Sequence, residues 1–213
     1  MDPVSIFQHL LDPEKLIHTG GLVLVLLVIF TENGLFFGFF LPGDTLLFTA
    51  GLLCATGKFD VPVFLLVTTV CIAAILGNGF GYYFGSRVGR SIYDRPESLL
   101  FKRRYIEAAE IFFNKYGGMA LVMGRFLPII RTFAPIFAGI VKLDLKKFLL
   151  YNIFGAILWV VSMTLSGYYL GIWFPSLNEH LEYVILGIII ITWVPVITTY
   201  LRAQAKKKKN INL

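Results

Sequence analysis

Apolar residues run through this chain in blocks too long for the strands or amphipathic helices of a soluble domain, and short polar segments separate them. The first block, 16–31, stops at Glu32-Asn33. It is near the lower limit for a bilayer span, where about 20 residues are needed and about 17 suffice. Asp12-Pro13 ahead of it is a helix-start signal. Before that, Val4, Ile6, Phe7, Leu10 and Leu11 recur at helical spacing and predict a short interfacial helix. The second block is interrupted: 34–41 is apolar, Pro42-Gly43-Asp44 breaks it, and 45–55 is apolar again. Neither half can cross a bilayer alone, and the Pro-Gly pair disrupts one continuous helix. Residues 62–84 form a full-length span. Its Gly77-x-x-x-Gly81-x-x-x-Gly85 ladder puts three small residues on one face for close helix packing. The ladder follows no strand, so it is no dinucleotide motif. Residues 86–116 are polar, and Ile106, Ala109, Ile111, Phe112 and Phe113 give part of that stretch the apolar side of a surface helix. Residues 117–141 are apolar but carry Arg125, Pro128, Arg131 and Pro135. Two clean spans follow, 148–173 and 183–201, with Pro175, Asn178, Glu179 and His180 between them.

Composition removes whole classes of function. Of 213 residues, 57% are hydrophobic and 15% charged, against about 45–50% and about 25% in soluble domains. Too little polar surface remains to cover a globule in water. That excludes a soluble enzyme, a disordered chain and a nucleic-acid reader, and leaves an all-α integral membrane protein. The organisation read from this is an interfacial segment at 1–15, one membrane domain at 16–201 and a basic tail at 202–213. The first 18 residues hold Asp2, Asp12 and Glu14 and no Ala-x-Ala exit, so the first span is expected to be retained. Cys54 and Cys71 lie in apolar surroundings with no CxxC, and read as small hydrophobes.

The net charge of +6 matters through its placement. Segment 86–116 holds seven Arg or Lys against four acids, 142–147 is basic, and lysines fill 206–209. Under the positive-inside rule all three are cytoplasmic. The last span then runs outward to inward and 148–173 inward to outward. Residues 117–141 must enter and leave on one side, as a re-entrant hairpin does. Counting back, 34–55 is a second hairpin opening to the other face, and both termini are cytoplasmic. The hairpins resemble each other: Phe40-Leu41-Pro42, Asp44-Thr45 and Ala50-Gly51 answer Phe126-Leu127-Pro128, Arg131-Thr132 and Ala138-Gly139. Four spans and two opposed hairpins in an inverted repeat point to a transport site near the midplane. Broken backbone is tolerated there only in protein or beside a wet cavity.

Four ionisable residues sit at these breaks: Glu32, Asp44, Arg125 and Arg131. A charge at membrane depth costs roughly 2.5–3.5 kcal/mol on insertion scales, so each must find partners. Arginine is always charged and suits phosphate or carboxylate, and an acid can carry a proton. One reading is a transport site; the other is a pair of ion pairs that lock the hairpins. Arg125 and Arg131 would sit about 240° apart on a straight helix, but a hairpin tip can gather them. Broken helix ends add N–H groups that favour an anion. A lipid phosphatase would need a histidine or metal centre. His9, His18 and His180 lie outside both hairpins, and neither a metal site nor a cofactor is expected. A scaffold explains the glycine face but not the charged, proline-broken hairpins. Abundant phenylalanines read as lipid-facing or core residues, and Tyr168, Tyr169 and Trp173 as an interfacial belt.

Glu32, Pro42-Gly43-Asp44, the glycine ladder and Gly124-Arg125-Phe126-x-Pro128-x-x-Arg131-Thr132-Phe133-x-Pro135-x-x-Ala138-Gly139 resemble the DedA family of bacterial membrane proteins, the VTT or SNARE-associated domain. The resemblance covers about residues 16–175. It implies opposed re-entrant hairpins in the bacterial cytoplasmic membrane. It also implies movement of lipids between leaflets, with undecaprenyl phosphate as the substrate of several members and dependence on the proton-motive force. The family's essential acids correspond to Glu32 and Asp44 and its essential arginines to Arg125 and Arg131. Asn78 stands where many members carry Asp. The reading is therefore a lipid transporter and not an enzyme. Arg125, Arg131, Thr132 and Gly43 are expected at the substrate, Glu32 and Asp44 at the protons, and Pro42, Pro128 and Pro135 at helix breaks. Its partners are membrane phospholipids or undecaprenyl phosphate and protons, with no nucleic acid. A non-selective phospholipid scramblase, a proton-coupled exporter of a small anion and a scaffold are the alternatives. The oligomeric state stays open.

Overall fold

The computed structural model describes residues 13–35, 38, 41–93, 111–113, 115–126, 128–174 and 187. The interfacial segment expected before residue 13, most of the surface helix expected within 86–116, and the span 183–201 lie outside the described residues. Among the described residues there are six helices and no strand: α1 Pro13–Gly34, α2 Gly43–Ala55, α3 Val63–Tyr93, α4 Met119–Gly124, α5 Pro128–Ile140 and α6 Leu145–Trp173. Three of them, α1, α3 and α6, are long and apolar enough to cross a membrane.

α1 begins where the sequence places a start signal, with Pro13 first and Glu14 in its opening turn. Proline suits that position because its missing N–H has no partner there anyway. The run of 16–31 is not one straight rod. Gly21 has φ 54° and ψ −149°, a conformation essentially reserved for glycine, and it kinks the helix. α3 begins after Pro62 and ends at Tyr93 rather than at 84. The apolar pattern marks where lipid stops, and helix hydrogen bonding continues past it. α6 opens on Asp144, whose carboxylate accepts from the Lys147 N–H at 3.0 Å.

The two interrupted blocks yield short helices. α2 and α5 are 13 residues each, about 20 Å long against a hydrocarbon core of about 30 Å. Pro42 directly precedes α2, and Pro128 is the first residue of α5. Both therefore sit at interruptions, as expected. Pro135, expected as a third break, does not break: it lies inside the continuous α5. It forgoes one bond, to the carbonyl of Arg131. Its ring packs near Gly81 of α3, and neighbouring helices hold such a proline in a membrane.

Glycines set the helix packing. α2 packs most extensively on α6, and α5 on α3. Gly51 lies against the Thr164 carbonyl and Gly167 against the Phe48 carbonyl; Gly85 lies against the Ile136 carbonyl and Gly139 against that of Tyr82. The ladder of α3 works as its spacing predicts, since Gly77 faces Phe30 and Gly34 of α1 while Gly81 and Gly85 face α5. The main core gathers Val25, Ile29, Leu46, Leu47, Leu53, Leu66 and Trp159. A second cluster gathers Phe113, Leu121, Ala138 and Phe148, with Tyr82 stacked on Phe148 at 4.3 Å between centroids. Phe64 is 79% exposed and Leu150 65% exposed, the outward apolar side chains that lipid covers. Both cysteines are free, Cys71 buried and Cys54 partly so.

Adding one methyl group separates packed from open glycines. Gly85→Ala drives a Cβ into the Ile136 backbone, whereas Gly79→Ala meets nothing within 4 Å. Gly85→Ala should lower stability by about 1–3 kcal/mol, and Gly79→Ala should leave it unchanged or raise it by up to about 1 kcal/mol. Thermal unfolding of the two variants in detergent reads the difference. Equal melting points would show that the α3 and α5 backbones do not approach as described.

Candidate functional site

The broken ends converge. α1 ends beside the first turns of α2 and α5, and the middle of α6 closes the group. Glu32 from the last turn of α1, Asp44 from the first turn of α2, and Arg131 and Thr132 from the first turns of α5 meet there. Arg131 Nη2 donates to Glu32 Oε1, and its Nη1 donates to Asp44 Oδ1 at 2.6 Å. The same Asp44 oxygen accepts from Trp159 Nε1 at 2.8 Å. The Trp159 ring lies under the guanidinium, 4.7 Å from Cζ to its centroid. Arg131 is 3% exposed, Glu32 0% and Asp44 14%.

One cation between two carboxylates satisfies the rule that buried charges are paired. Removing only Arg131 would leave two acids uncompensated, a change that costs about 3–5 kcal/mol in comparable buried pairs. Thr132 and Gly43, expected at the substrate, are in the structure both applied to Glu32. Thr132 Oγ1 donates to the Glu32 carbonyl at 3.3 Å. Gly43 lies so close to the Glu32 carboxylate that any Cβ would collide with it.

Arg125 has a different environment. It caps the C-terminus of α4 and is 2% exposed. Its Nη2 donates to Asn152 Oδ1 at 2.6 Å and more weakly to the Asn152 carbonyl at 3.3 Å. Asn78 Nδ2 donates to Asn152 Oδ1 at 2.9 Å; with the amide turned over, its oxygen instead faces Arg125 Nη2 at 2.6 Å and its nitrogen donates to the Asn33 carbonyl at 3.1 Å. No carboxylate reaches Arg125 among the described residues, and its Nε and Nη1 have no hydrogen-bond partner there. The two arginines thus share one buried polar region, but they are not a symmetric clamp.

Three contributors escaped the sequence reading. Asn33 was seen only as the end of a span. Asn152 and Trp159 lie in what reads as a clean span. A signal for them existed: a mid-span asparagine and a tryptophan away from the membrane interface, seven residues apart and so on one helical face. His18 stands at the start of α1, exposed and 3.9 Å from Glu14, far along the helix from Glu32. His9 and His180 lie outside the described residues. No group of three His, Cys, Asp or Glu side chains gathers among the described residues.

Comparison with known proteins identifies the family. The VTT domain matches residues 41–169. Protein DedA of Escherichia coli (strain K12) is 37% identical over 84% of this chain and 81% of its own length. Inner membrane protein YqjA of the same strain is 37% identical over 78% of this chain and 73% of its own. An uncharacterised membrane protein of Mycobacterium leprae (strain TN) is 38% identical over 87% and 82%. No solved structure matches the chain. The chain belongs to the DedA family of VTT-domain membrane proteins and is a multi-pass membrane protein.

The indole of Trp159 offers a check on the cluster. Trp159→Phe keeps a smaller ring under Arg131 and removes the N–H bond to Asp44. In a double-mutant cycle with Asp44→Asn, thermal unfolding should give a coupling of about 1.5–3 kcal/mol, the range for hydrogen bonds to charged groups. Strictly additive effects would mean that indole and carboxylate do not interact.

Proposed function

We propose that this protein is a lipid transporter of the bacterial cytoplasmic membrane that moves undecaprenyl phosphate, or a related phospholipid, between leaflets in a proton-coupled cycle. It performs no covalent chemistry on the lipid. The observation that carries this reading is the buried contrast between two arginines, one held by two carboxylates and one facing only amides. An arginine without a carboxylate, inside a membrane protein, suits an anionic headgroup whose tails stay in the bilayer. The two helices too short to cross support two opposed re-entrant hairpins in an inverted repeat. With 183–201 as a fourth span, both termini are cytoplasmic.

Charge counting gives the mechanism its direction. Glu32 and Asp44 carry two negative charges, and Arg125 and Arg131 carry two positive ones. The ionised cluster is neutral as a whole, negative around Arg131 and positive at Arg125. A phosphate docking on Arg125 adds negative charge and favours protonation of Glu32 or Asp44; by linkage, protonation favours phosphate. A protonated acid loosens its hold on Arg131, which then turns to the phosphate as a second donor. Glu32, Asp44 and Arg131 hold α1, α2 and α5 together, so loosening them frees the hairpins to expose the site to the opposite face. Gly43 leaves room for the Glu32 side chain, and Thr132 holds its backbone.

The test is headgroup movement in proteoliposomes, for undecaprenyl phosphate and for a common phospholipid, with and without a pH gradient. Movement of the carrier lipid alone should depend on the gradient and fall at least about tenfold in Arg125→Ala and in Arg131→Ala, as expected for loss of a charge-assisted contact. Equal movement of both lipids without a gradient would make the protein a scramblase with the acids as structure. Movement of neither would return the small-anion and scaffold readings.

A further inference from the structure

The two acids that share Arg131 are not equivalent. Asp44 stands in the first turn of α2, where the unpaired N–H groups of a helix start favour negative charge. Its Oδ1 accepts two bonds, from Arg131 Nη1 at 2.6 Å and from Trp159 Nε1 at 2.8 Å. Glu32 stands in the last turn of α1, where unpaired carbonyls disfavour negative charge. Its Oε1 accepts from Arg131 Nη2, and its Oε2 has no hydrogen-bond partner among the described residues. Oε2 lies against Gly43, whose N–H is bonded to the Leu41 carbonyl at 3.0 Å. The charged groups that face Glu32 are Arg131 of α5 and Asp44 of α2, while α3 brings the uncharged Gly77 and Asn78 to the end of α1. Asp44 faces Arg131, Glu32 and the Trp159 indole of α6. One guanidinium balances one carboxylate, so a proton on the other relieves their repulsion. Where two carboxyl groups share a site, the difference between their surroundings assigns their roles. Here helix end, donor count and the unpartnered oxygen all separate them in the same sense.

We propose that the acids have separate jobs: Glu32 carries the coupling proton, on Oε2, while Asp44 remains the ionised counter-ion of Arg131, held so by Trp159 as a positioning residue. This rests on the proton-coupled reading above and names the acid that performs it. A proton on Oε2 removes the charge of Glu32 and leaves Arg131 tied to Asp44. The tie that loosens is therefore the one between α1 and α5, and the tie between α2 and α5 persists through the cycle. Trp159 exchanges no proton itself. Its N–H acts through Asp44, by keeping that carboxylate from competing for the proton.

Infrared difference spectra of the full chain in phosphatidylcholine vesicles detect the proton through the carbonyl stretch of a protonated carboxyl group. The spectra compare about pH 9 with about pH 6, above the range in which exposed carboxyl groups titrate. The unmodified protein should gain such a band on acidification, and Glu32→Gln should lack it. That variant leaves Arg131 facing one carboxylate and one amide oxygen, a balanced arrangement. Should it fail to fold, the unmodified protein made by cell-free synthesis answers instead: carbon-13 in the side-chain carboxyl of glutamate should move the band, and in that of aspartate should not. Loss of the indole bond should shift Asp44 about tenfold or more toward its protonated form. Trp159→Phe should therefore gain a second carboxyl band, absent from Trp159→Phe/Asp44→Asn. Lipid movement in the same vesicles, with undecaprenyl phosphate as the probe, should depend on a pH gradient in the unmodified protein and be equal with and without it in Glu32→Gln. A band that survives Glu32→Gln or moves with labelled aspartate, or no band at all, overturns the division of the acids. A Trp159→Phe spectrum like the unmodified one overturns the part given to Trp159. A band that depends on Glu32, without lipid movement, keeps the division and removes the transport reading. Gradient-dependent movement that persists in Glu32→Gln keeps transport and overturns the division.

Discussion

Arg131 sits buried between carboxylates from two other helices. In hydrocarbon an unpaired ion costs several kcal/mol, so the three residues must be together or differently protonated. That requirement fixes the end of α1 beside the starts of α2 and α5, because each charge lies within a turn of a helix end. Trp159 joins as a fourth residue, binding Asp44 and covering the guanidinium. The helices that carry these residues share little other polar contact, and the ion group sets where their broken ends stop.

Holding the broken ends together requires the helices behind them to approach closely. Carbonyl-to-glycine contacts supply this on both sides: Gly51 and Gly167 between α2 and α6, Gly85 and Gly139 between α3 and α5. Gly51 lies nine residues into its short helix and Gly139 twelve into the other, and each rests on a long helix. The two halves of the molecule use the same device to press a short helix against a spanning one. Lipid cannot drive such association by hydrophobicity, so backbone proximity and van der Waals contact must.

Much of this was legible in the sequence because charge and proline are rare in apolar blocks and therefore informative. Glu32, Asp44, Arg125 and Arg131 were visible from composition alone, and the glycine ladder from its spacing. The pairing was not. Nothing in a sequence tells which of two arginines meets the acids, since that depends on how far each hairpin tip turns. Pro135 misled because a proline breaks an isolated helix, while packing against α3 holds this one intact. The kink at Gly21 passed unseen because two adjacent glycines in an apolar run read equally well as packing surface. Asn152 and Trp159 were hidden by the even hydropathy of α6, where two polar groups are diluted among apolar neighbours.

The ion group also has a history in time. Glu32 precedes Arg131 by 99 residues and Asp44 precedes it by 87. A ribosome adding about 5–20 residues per second needs roughly 5–20 s to cover that distance. During the interval both acids have left the ribosome and their arginine does not yet exist. They must wait protonated, in the insertion machinery, or at the membrane surface. Biogenesis of this protein is thus a problem of chronology, in which the first two helices cannot settle at their final depth until the fifth is made.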